Sequence, residues 1–542
     1  MKRFASRRTV VPGAMLAGAL AVLGACGGEA GPGAAAGAGG SPTPGGTAVV
    51  CLPSTPASLD PFISRDHAAA QVGALLFTPL VRYGPGETLQ PYLARSWEWT
   101  DGHRGLTFRL RGDLEWHDGR PVTAGDVAFT LRAATDSSYG YVNRADLATL
   151  DSVTVRDSAT VELRFGRPLA AGLEVFALLP ILPEHLLGGL DPEAFRNAPY
   201  HHEPVGSGPY RLVAWRSGGT IELARADGFP TDLGRDYLDR IVLRVIPEPT
   251  TSVAEMRTGG VDACLVGTTH TADMASIDGV RVLPLPSAPS LKIFLDVRRT
   301  PFSDVRVRRA LSAALDRSEI AGAMAPVARS ARSPLPADHP FAAPGLLQPD
   351  ADPALADSLL SAAGWRRPPD GGVRTDPQGR RLQFTLAGSP LTGDMVTVVQ
   401  AQLARVGFEV KTQVMEFGAL IENIQDPDRR PPAVVLGSAP DKRLRPDFYA
   451  YLVTGSGYNI SGYSNPAVDS AAARLRVATD SADLAAQYRV IERRVVEDVP
   501  IVYAVRLPQG LAVGPRLQGV EVGPNGPLAG APVWWIPAGS RR

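Results

Sequence analysis

From Thr47 onward the chain runs for roughly 500 of its 542 residues without a second long apolar stretch, and a polypeptide of that length cannot share one hydrophobic core. It must divide into two or more lobes. Its apolar content is that of an ordinary folded protein, and 55 Lys and Arg balance 55 Asp and Glu. A nucleic-acid binder needs a basic face for phosphate contacts, so this balance argues against that class.

The first 46 residues read differently. Lys2, Arg3, Arg7 and Arg8 precede an apolar stretch from Val10 to Leu23, which ends in Leu23-Gly24-Ala25-Cys26. A basic start, a short apolar core and small residues before a cleavage point describe a signal peptide over residues 1–25. The core is shorter than the ~20 residues of a membrane span. Leu-Gly-Ala-Cys resembles a bacterial lipobox, which implies lipidation of Cys26 and anchorage to a membrane; the plain alternative is a free secreted protein with an incidental cysteine. Ser6-Arg7-Arg8 hints at twin-arginine export but lacks the usual Phe-Leu-Lys. Gly27 to Gly46 is almost entirely Gly, Ala, Pro, Ser and Thr, too poor in apolar surface to offset ordering entropy, so residues 26–46 are expected to form a flexible tether. Cys51 and Cys264 remain after Cys26. An oxidising compartment permits their pairing, and two separately buried thiols are the alternative.

Beyond Thr47 strands and helices alternate. Ala48 to Leu52 is a short apolar run ending at Pro53, as a buried strand reads, and Ala68 to Leu80 reads as a helix running into a loop. Thr107 to Arg111 alternates like a half-buried strand, and Val153, Val155, Val161, Leu163 and Phe165 form a hairpin pattern around Asp157-Ser158-Ala159. Helix starts are marked by Thr123 with Asp126, Asn465-Pro466, Asp304 and Ser481. Leu484, Tyr488, Ile491 and Val495 fall on one helical face. The fold class is α/β.

Catalytic patterns are missing from the sequence. It has no Gly-x-Ser-x-Gly elbow, phosphate loop, dinucleotide fingerprint or His-Glu-x-x-His pair. The eight histidines are scattered, and neighbours such as His201 and His202 on a strand would point apart. His117-Asp118-Gly119 before Pro121 reads as a turn feeding the Thr123 helix. No enzyme, metal or cofactor is expected.

Seven blocks carry a resemblance. Gln90-Pro91-Tyr92-Leu93-Ala94-Arg95-Ser96-Trp97 resembles the "P-x-L-A-x-S-W" signature of solute-binding protein family 5, the peptide- and nickel-type binding proteins of ABC importers. Thr107-Phe108-Arg109-Leu110-Arg111 is similar to its "T-F-x-L-R". Trp116-His117-Asp118-Gly119-Arg120-Pro121-Val122-Thr123-Ala124-Gly125-Asp126 resembles "F-H-D-G-x-P-x-T-A-x-D". Gly206-Ser207-Gly208-Pro209-Tyr210 resembles "G-T-G-P-Y". Pro301-Phe302-Ser303-Asp304 through Leu311, closed by Ala314-Leu315-Asp316-Arg317, is similar to "P-F-x-D-x-x-V-R-x-A-L…A-x-D-R". Gly462-Tyr463-Ser464-Asn465-Pro466 and Asp498-Val499-Pro500 complete the series in family order. Most of this signature reads as scaffold, with Trp116, His117 and Asp118 structural.

The resemblance implies a two-lobed periplasmic-binding-protein type II clamshell with an additional subdomain in the first lobe. Residues 47–80 and 206–290 would form lobe I, 81–205 its extra subdomain and 291–505 lobe II, with 506–542 returning to lobe I. It implies capture of di- or oligopeptides by a monomer that delivers them to an ABC permease; metal-chelate, sugar or opine-like ligands, or a ligand-sensing role, are the alternatives. In the peptide branch an aspartate three residues after a tryptophan pairs with the peptide ammonium, and the matching position here is Asp441. Ser438 stands where that tryptophan would be. Asp441 either binds an ammonium, or Arg443 or Arg445 grips an anionic group, or the loop is solvated and touches nothing. Tyr458, Asn459, Phe294, Asp296 and Ser64, within the rim loop 62–67, are the further candidate contacts. Trp534-Trp535 reads as packing.

Overall fold

The computed structural model describes residues 41–541 apart from 65, 85–87, 170–171, 217–218, 235–236, 287, 338, 439–448, 479 and 524–525. The signal peptide, Cys26 and residues 27–40 lie outside the described residues. The end of the expected tether is held against the body. Arg541 donates to the Thr43 carbonyl and hydroxyl at 2.9 and 2.7 Å, and Gly45 and Gly46 donate to Tyr237 and Asp239.

In chain order the strands are β1 (Thr47–Leu52), β2 (Val81–Tyr83), β3 (Leu89–Pro91), β4 (Ala94–Thr100), β5 (Gly105–Leu110), β6 (Leu150–Asp157), β7 (Thr160–Phe165), β8 (Tyr210–Arg216), β9 (Thr220–Arg225), β10 (Arg240–Val245), β11 (Ala263–Val266) and β12 (Arg281–Pro284). There follow β13 (Ser290–Leu295), β14 (Arg329–Ser330), β15 (Gln383–Gly388), β16 (Glu409–Val414), β17 (Ala433–Ser438), β18 (Ile501–Arg506) and β19 (Gly510–Val513). Two large mixed sheets dominate, ordered β12-β19-β11-β1-β10-β9-β8 and β14-β18-β13-β17-β15-β16. An antiparallel sheet β4-β5-β7-β6 stands against the helix Ala124–Thr135, and β2 pairs with β3. The first large sheet and the antiparallel sheet share one core containing Val50, Phe108, Leu163, Ile241 and Trp534. The second sheet is covered on both faces: Leu291, Ile293 and Leu295 of β13 enter one core, and Phe294 enters another with Tyr449, Tyr488 and Tyr503. Such double coverage explains why β13 is buried throughout.

The helix starts read from sequence are in place. Thr123 and Asp126 form a capping box, the Thr123 N–H donating to Asp126 at 2.8 Å. Asn465 caps the helix Pro466–Leu475, and Asp304 caps Val305–Ala314. The helix Ser481–Asp498 opens at Ser481 behind an Asp480 cap, and Leu484, Tyr488, Ile491 and Val495 face the core. In the β6–β7 hairpin Val161, Leu163 and Phe165 are buried, whereas Val155 is exposed. Cys51 and Cys264 stand opposite each other in the parallel β1–β11 register and are joined as a disulfide, Cα atoms 4.8 Å apart, within the usual span.

The motif blocks bind to one another. His117 Nε2 meets the Gly208 carbonyl at 3.0 Å while its Nδ1 accepts from the Gly206 N–H at 3.1 Å. The Gly206 carbonyl accepts from the His117 N–H, and Gly208 donates to the Leu76 carbonyl, both at 2.8 Å. Three further blocks meet at Asp498. Its carboxylate accepts from Tyr463 at 2.5 Å and Asn465 at 3.0 Å, and its carbonyl accepts from Arg308 at 2.7 Å.

This bonding requires a neutral His117 with its proton on Nε2. Burial pushes its pKa down to about 4 from the usual 6.5. As pH falls from 6.5 toward 4 the unfolded chain takes up a proton that the folded chain refuses, so stability drops, by about 3 kcal/mol in all. Denaturant titrations of wild type and His117→Gln across this window should diverge at high pH and converge in acid. His201 behaves oppositely. Burial lowers its affinity for a proton, but Asp60 at 2.9 Å outweighs this and raises the pKa. Its contribution is complete in acid and is lost as pH rises through that raised value.

Candidate functional site

The strand directions locate the crevice. β1, β10 and β11 run parallel in the first large sheet, as do β15, β16 and β17 in the second. Among the described residues the chain passes from the one sheet to the other twice, between β12 and β13 and between β18 and β19. The two connecting segments are bonded together: Leu285 donates to the Gln509 carbonyl at 2.9 Å and Leu507 to the Pro289 carbonyl at 2.7 Å. The pair leaves the first sheet where β11 ends, since Val266 and Pro284 both face Gly510. It enters the second where β17 ends, since Ser290 faces both Ser438 and Arg506. The carboxyl ends of both parallel sets therefore lie on the hinge side of their sheets, and ligands of open α/β sheets bind outside the carboxyl ends of strands.

On the first lobe, two loops form the wall. After β1, Asp66 accepts from the Ala57 N–H at 3.0 Å and from the Ala68 N–H at 2.9 Å, where it caps the helix His67–Leu76. Half-buried Ser64 accepts from the Asp66 N–H at 3.1 Å, so its hydroxyl already serves the loop. Phe62 is fully buried against Tyr141 and Phe195. After β11, Thr268 donates to the Pro508 carbonyl at 2.9 Å, tying the wall to the hinge, and Thr269 pairs with His270 Nδ1 at 2.9 Å.

On the second lobe, the turn after β15 exposes Leu391 (86 %), and Phe417 (55 %) follows β16 on a helix capped by Glu416. Beside the end of β17, Lys292 is buried over the rings of Tyr451 (4.9 Å) and Tyr503 (5.4 Å). Burial, with Arg506 adding repulsion, pushes its pKa down to about 7. Nothing in the sequence marks this lysine, because one charged residue in an apolar run gives no sign of its neighbours.

The expected contacts divide. Asp441, Arg443 and Arg445 lie outside the described residues. Phe294 and Asp296 lie toward the end of β13 away from the hinge. β13 is antiparallel to β17, so its far end faces Ala433 and Pro432 at the opposite edge of the sheet. There Phe294 packs in the core, and Asp296 is held by Arg298 at 2.7 Å and Arg299 at 3.3 Å. Asn459 spends its amide on the Val453 and Tyr463 carbonyls, at 3.0 and 2.7 Å. Its turn abuts that same far edge, where the Ser461 carbonyl accepts from Val297; Tyr458 beside it is 70 % exposed. Trp534 and Trp535 are buried. Among the described residues no three His, Cys, Asp or Glu side chains are placed to hold a metal ion.

A cavity of about 810 Å³ extends the first-lobe wall away from the hinge, between Thr55–Ala57, His202–Val205 and β8. None of the residues expected from sequence lines it.

The profile of the bacterial extracellular solute-binding proteins, family 5 (middle), matches residues 88–460. The chain belongs to that family. Among its family 5 relatives, the oligopeptide-binding protein AppA of Bacillus subtilis (strain 168) is 27 % identical over 515 residues, 92 % of this chain and 93 % of its own. Protein XP55 of Streptomyces lividans is 30 % identical over 463 residues, 83 % of this chain and 81 % of its own. The structure of Bacillus subtilis AppA in complex with a nonapeptide matches with a TM-score of 0.75 at 24 % identity, over 92 % of this chain and 100 % of that one. The fold is the two-lobed family 5 clamshell, and the protein is an extracellular solute-binding protein.

Proposed function

We propose that this family 5 protein captures oligopeptides between the carboxyl ends of its two parallel strand sets and presents them, closed, to an ABC permease. The observation that carries this is the pair of hydrogen-bonded hinge segments: with the described chain passing between the sheets twice, from β12 to β13 and from β18 to β19, one rotation opens or closes both walls. Ligand bridging the walls favours the closed form, which is the form a permease can distinguish. Peptide is favoured over other solutes by the relationship to oligopeptide-binding AppA. The protein performs no covalent chemistry, needs no cofactor and works as a monomer. Cys26 carries the lipid, and the segment after it spaces the body from the membrane. Residues 47–80, 206–290 and 506–542 make lobe I, with 81–205 its added subdomain, and 291–505 make lobe II.

Mass spectrometry of ligands released from the purified protein tests the substrate class. A peptide pool is expected, and a pool free of peptides would overturn it. Asp441 is our choice for the ammonium partner. A peptide bound by wild type should bind Asp441→Ala about tenfold to a hundredfold more weakly in calorimetry, the worth of a charge-assisted hydrogen bond. Unchanged affinity removes Asp441 from that role.

A further inference from the structure

We propose that the open edge of β8 and the cavity beside it receive an extended stretch of a bound oligopeptide as an added strand. This rests on the peptide reading above and extends it from ligand class to ligand length. Consecutive side chains of a strand point to opposite faces. A void lined by Leu212, Val213, Ala214, Trp215 and Arg216 in unbroken succession therefore runs along the edge of β8 and not over one face. β8 is the last strand of its sheet, and among the described residues it pairs with β9 alone. Its register shifts at Val213, between Leu212 and Ala214, and bulges of this kind collect at functional edges.

Across the void stand Pro56 and Pro204, which have no N–H to offer β8. The loops enclose the edge without occupying it as a strand. The lining mixes apolar Pro56, Val205 and Val213 with charged Glu203 and Arg216, and His202 stacks on Trp215 with ring centroids 5.4 Å apart. The 810 Å³ volume falls in the range of ligand sites. Backbone pairing with alternate side chains in pockets is how an edge takes up an extended peptide. The cavity continues from Thr55–Ala57, just past the end of β1, so a peptide held near the hinge reaches β8 only when it is long.

Calorimetry of the full chain with an apolar heptapeptide and a tripeptide of the same N-terminal sequence tests this. Val213→Asp and Trp215→Ala, with melting temperature as the check on folding, should each weaken the heptapeptide about tenfold or more and leave the tripeptide unchanged. Methylating alternate backbone nitrogens in the distal half of the heptapeptide should weaken its binding to wild type and not to Val213→Asp. Heptapeptide affinity unchanged in both variants, or an equal loss for the tripeptide, would overturn the proposal while peptide capture stands. A wild-type protein that binds neither peptide would end the peptide reading itself.

Discussion

Gly206→Ala is expected to destabilise lobe I severely. A Cβ at this position would sit 1.8 Å from the Leu76 carbonyl oxygen and 3.1 Å from the His117 ring. The nearest obstacle is backbone, so no rotamer change relieves the contact. Residues 206–208 must separate from the chain leaving the helix His67–Leu76, and that movement breaks the Gly208-to-Leu76 bond and both ring bonds of His117. Overpacking a core usually costs about 1–3 kcal/mol; here a clash between two backbones is added to lost hydrogen bonds, so the loss should exceed ~3 kcal/mol. Chemical denaturation with separate probes for each lobe would show it as an early transition confined to the first lobe. Ser207→Ala, which removes only the 2.5 Å contact with Thr78, should be far milder.

Arg317→Ala should be the corresponding lesion in lobe II. The guanidinium is fully buried and donates to the Tyr503 carbonyl at 2.6 Å, the Pro349 carbonyl at 2.9 Å, the Ser312 hydroxyl at 2.8 Å and the Asp350 carboxylate at 2.9 Å. It ties β18 to Ser312 and to residues 349–350, beside the bonds that Gln348 makes to Ile501 and Tyr503. Truncation leaves several buried acceptors unpaired and an anion without its partner, a class of change that costs about 3–5 kcal/mol. Arg317→Lys should rescue little, because a single ammonium cannot reproduce a planar fork reaching three directions. Equilibrium unfolding should place Lys much nearer Ala than wild type; near-wild-type stability of the Lys variant would show that charge alone suffices.

These two cases indicate which parts of the sequence were legible. The blocks that identify the family are the ones with steric or hydrogen-bonding duties inside a lobe, as Gly206, His117, Arg317 and Asp498 illustrate. Local signals also served well: Thr123, Asn465 and Asp304 cap helices because their bonding partners lie within a few residues. Strand direction carries no such local mark. The antiparallel pairing of β13 with β17, which sets Phe294 and Asp296 away from the hinge, is of this kind. Lys292, with rings from Tyr451 and Tyr503, and the Cys51–Cys264 bond, spanning 213 residues, likewise depend on partners far along the chain, beyond the reach of periodicity.

The order of strands in the first sheet also constrains when the protein can finish folding. β11 lies between β1, near the start of the described chain, and β19, formed by residues 510–513. A chain emerging from the ribosome or a translocation pore cannot complete this sheet until nearly all of it has emerged, whereas the second sheet needs nothing beyond Arg506 and can close first. In the interval β11 presents a bare flank of unpaired amides, the kind of edge that recruits other chains. Aggregation during synthesis should therefore concentrate in the time between the appearance of β11 and that of β19.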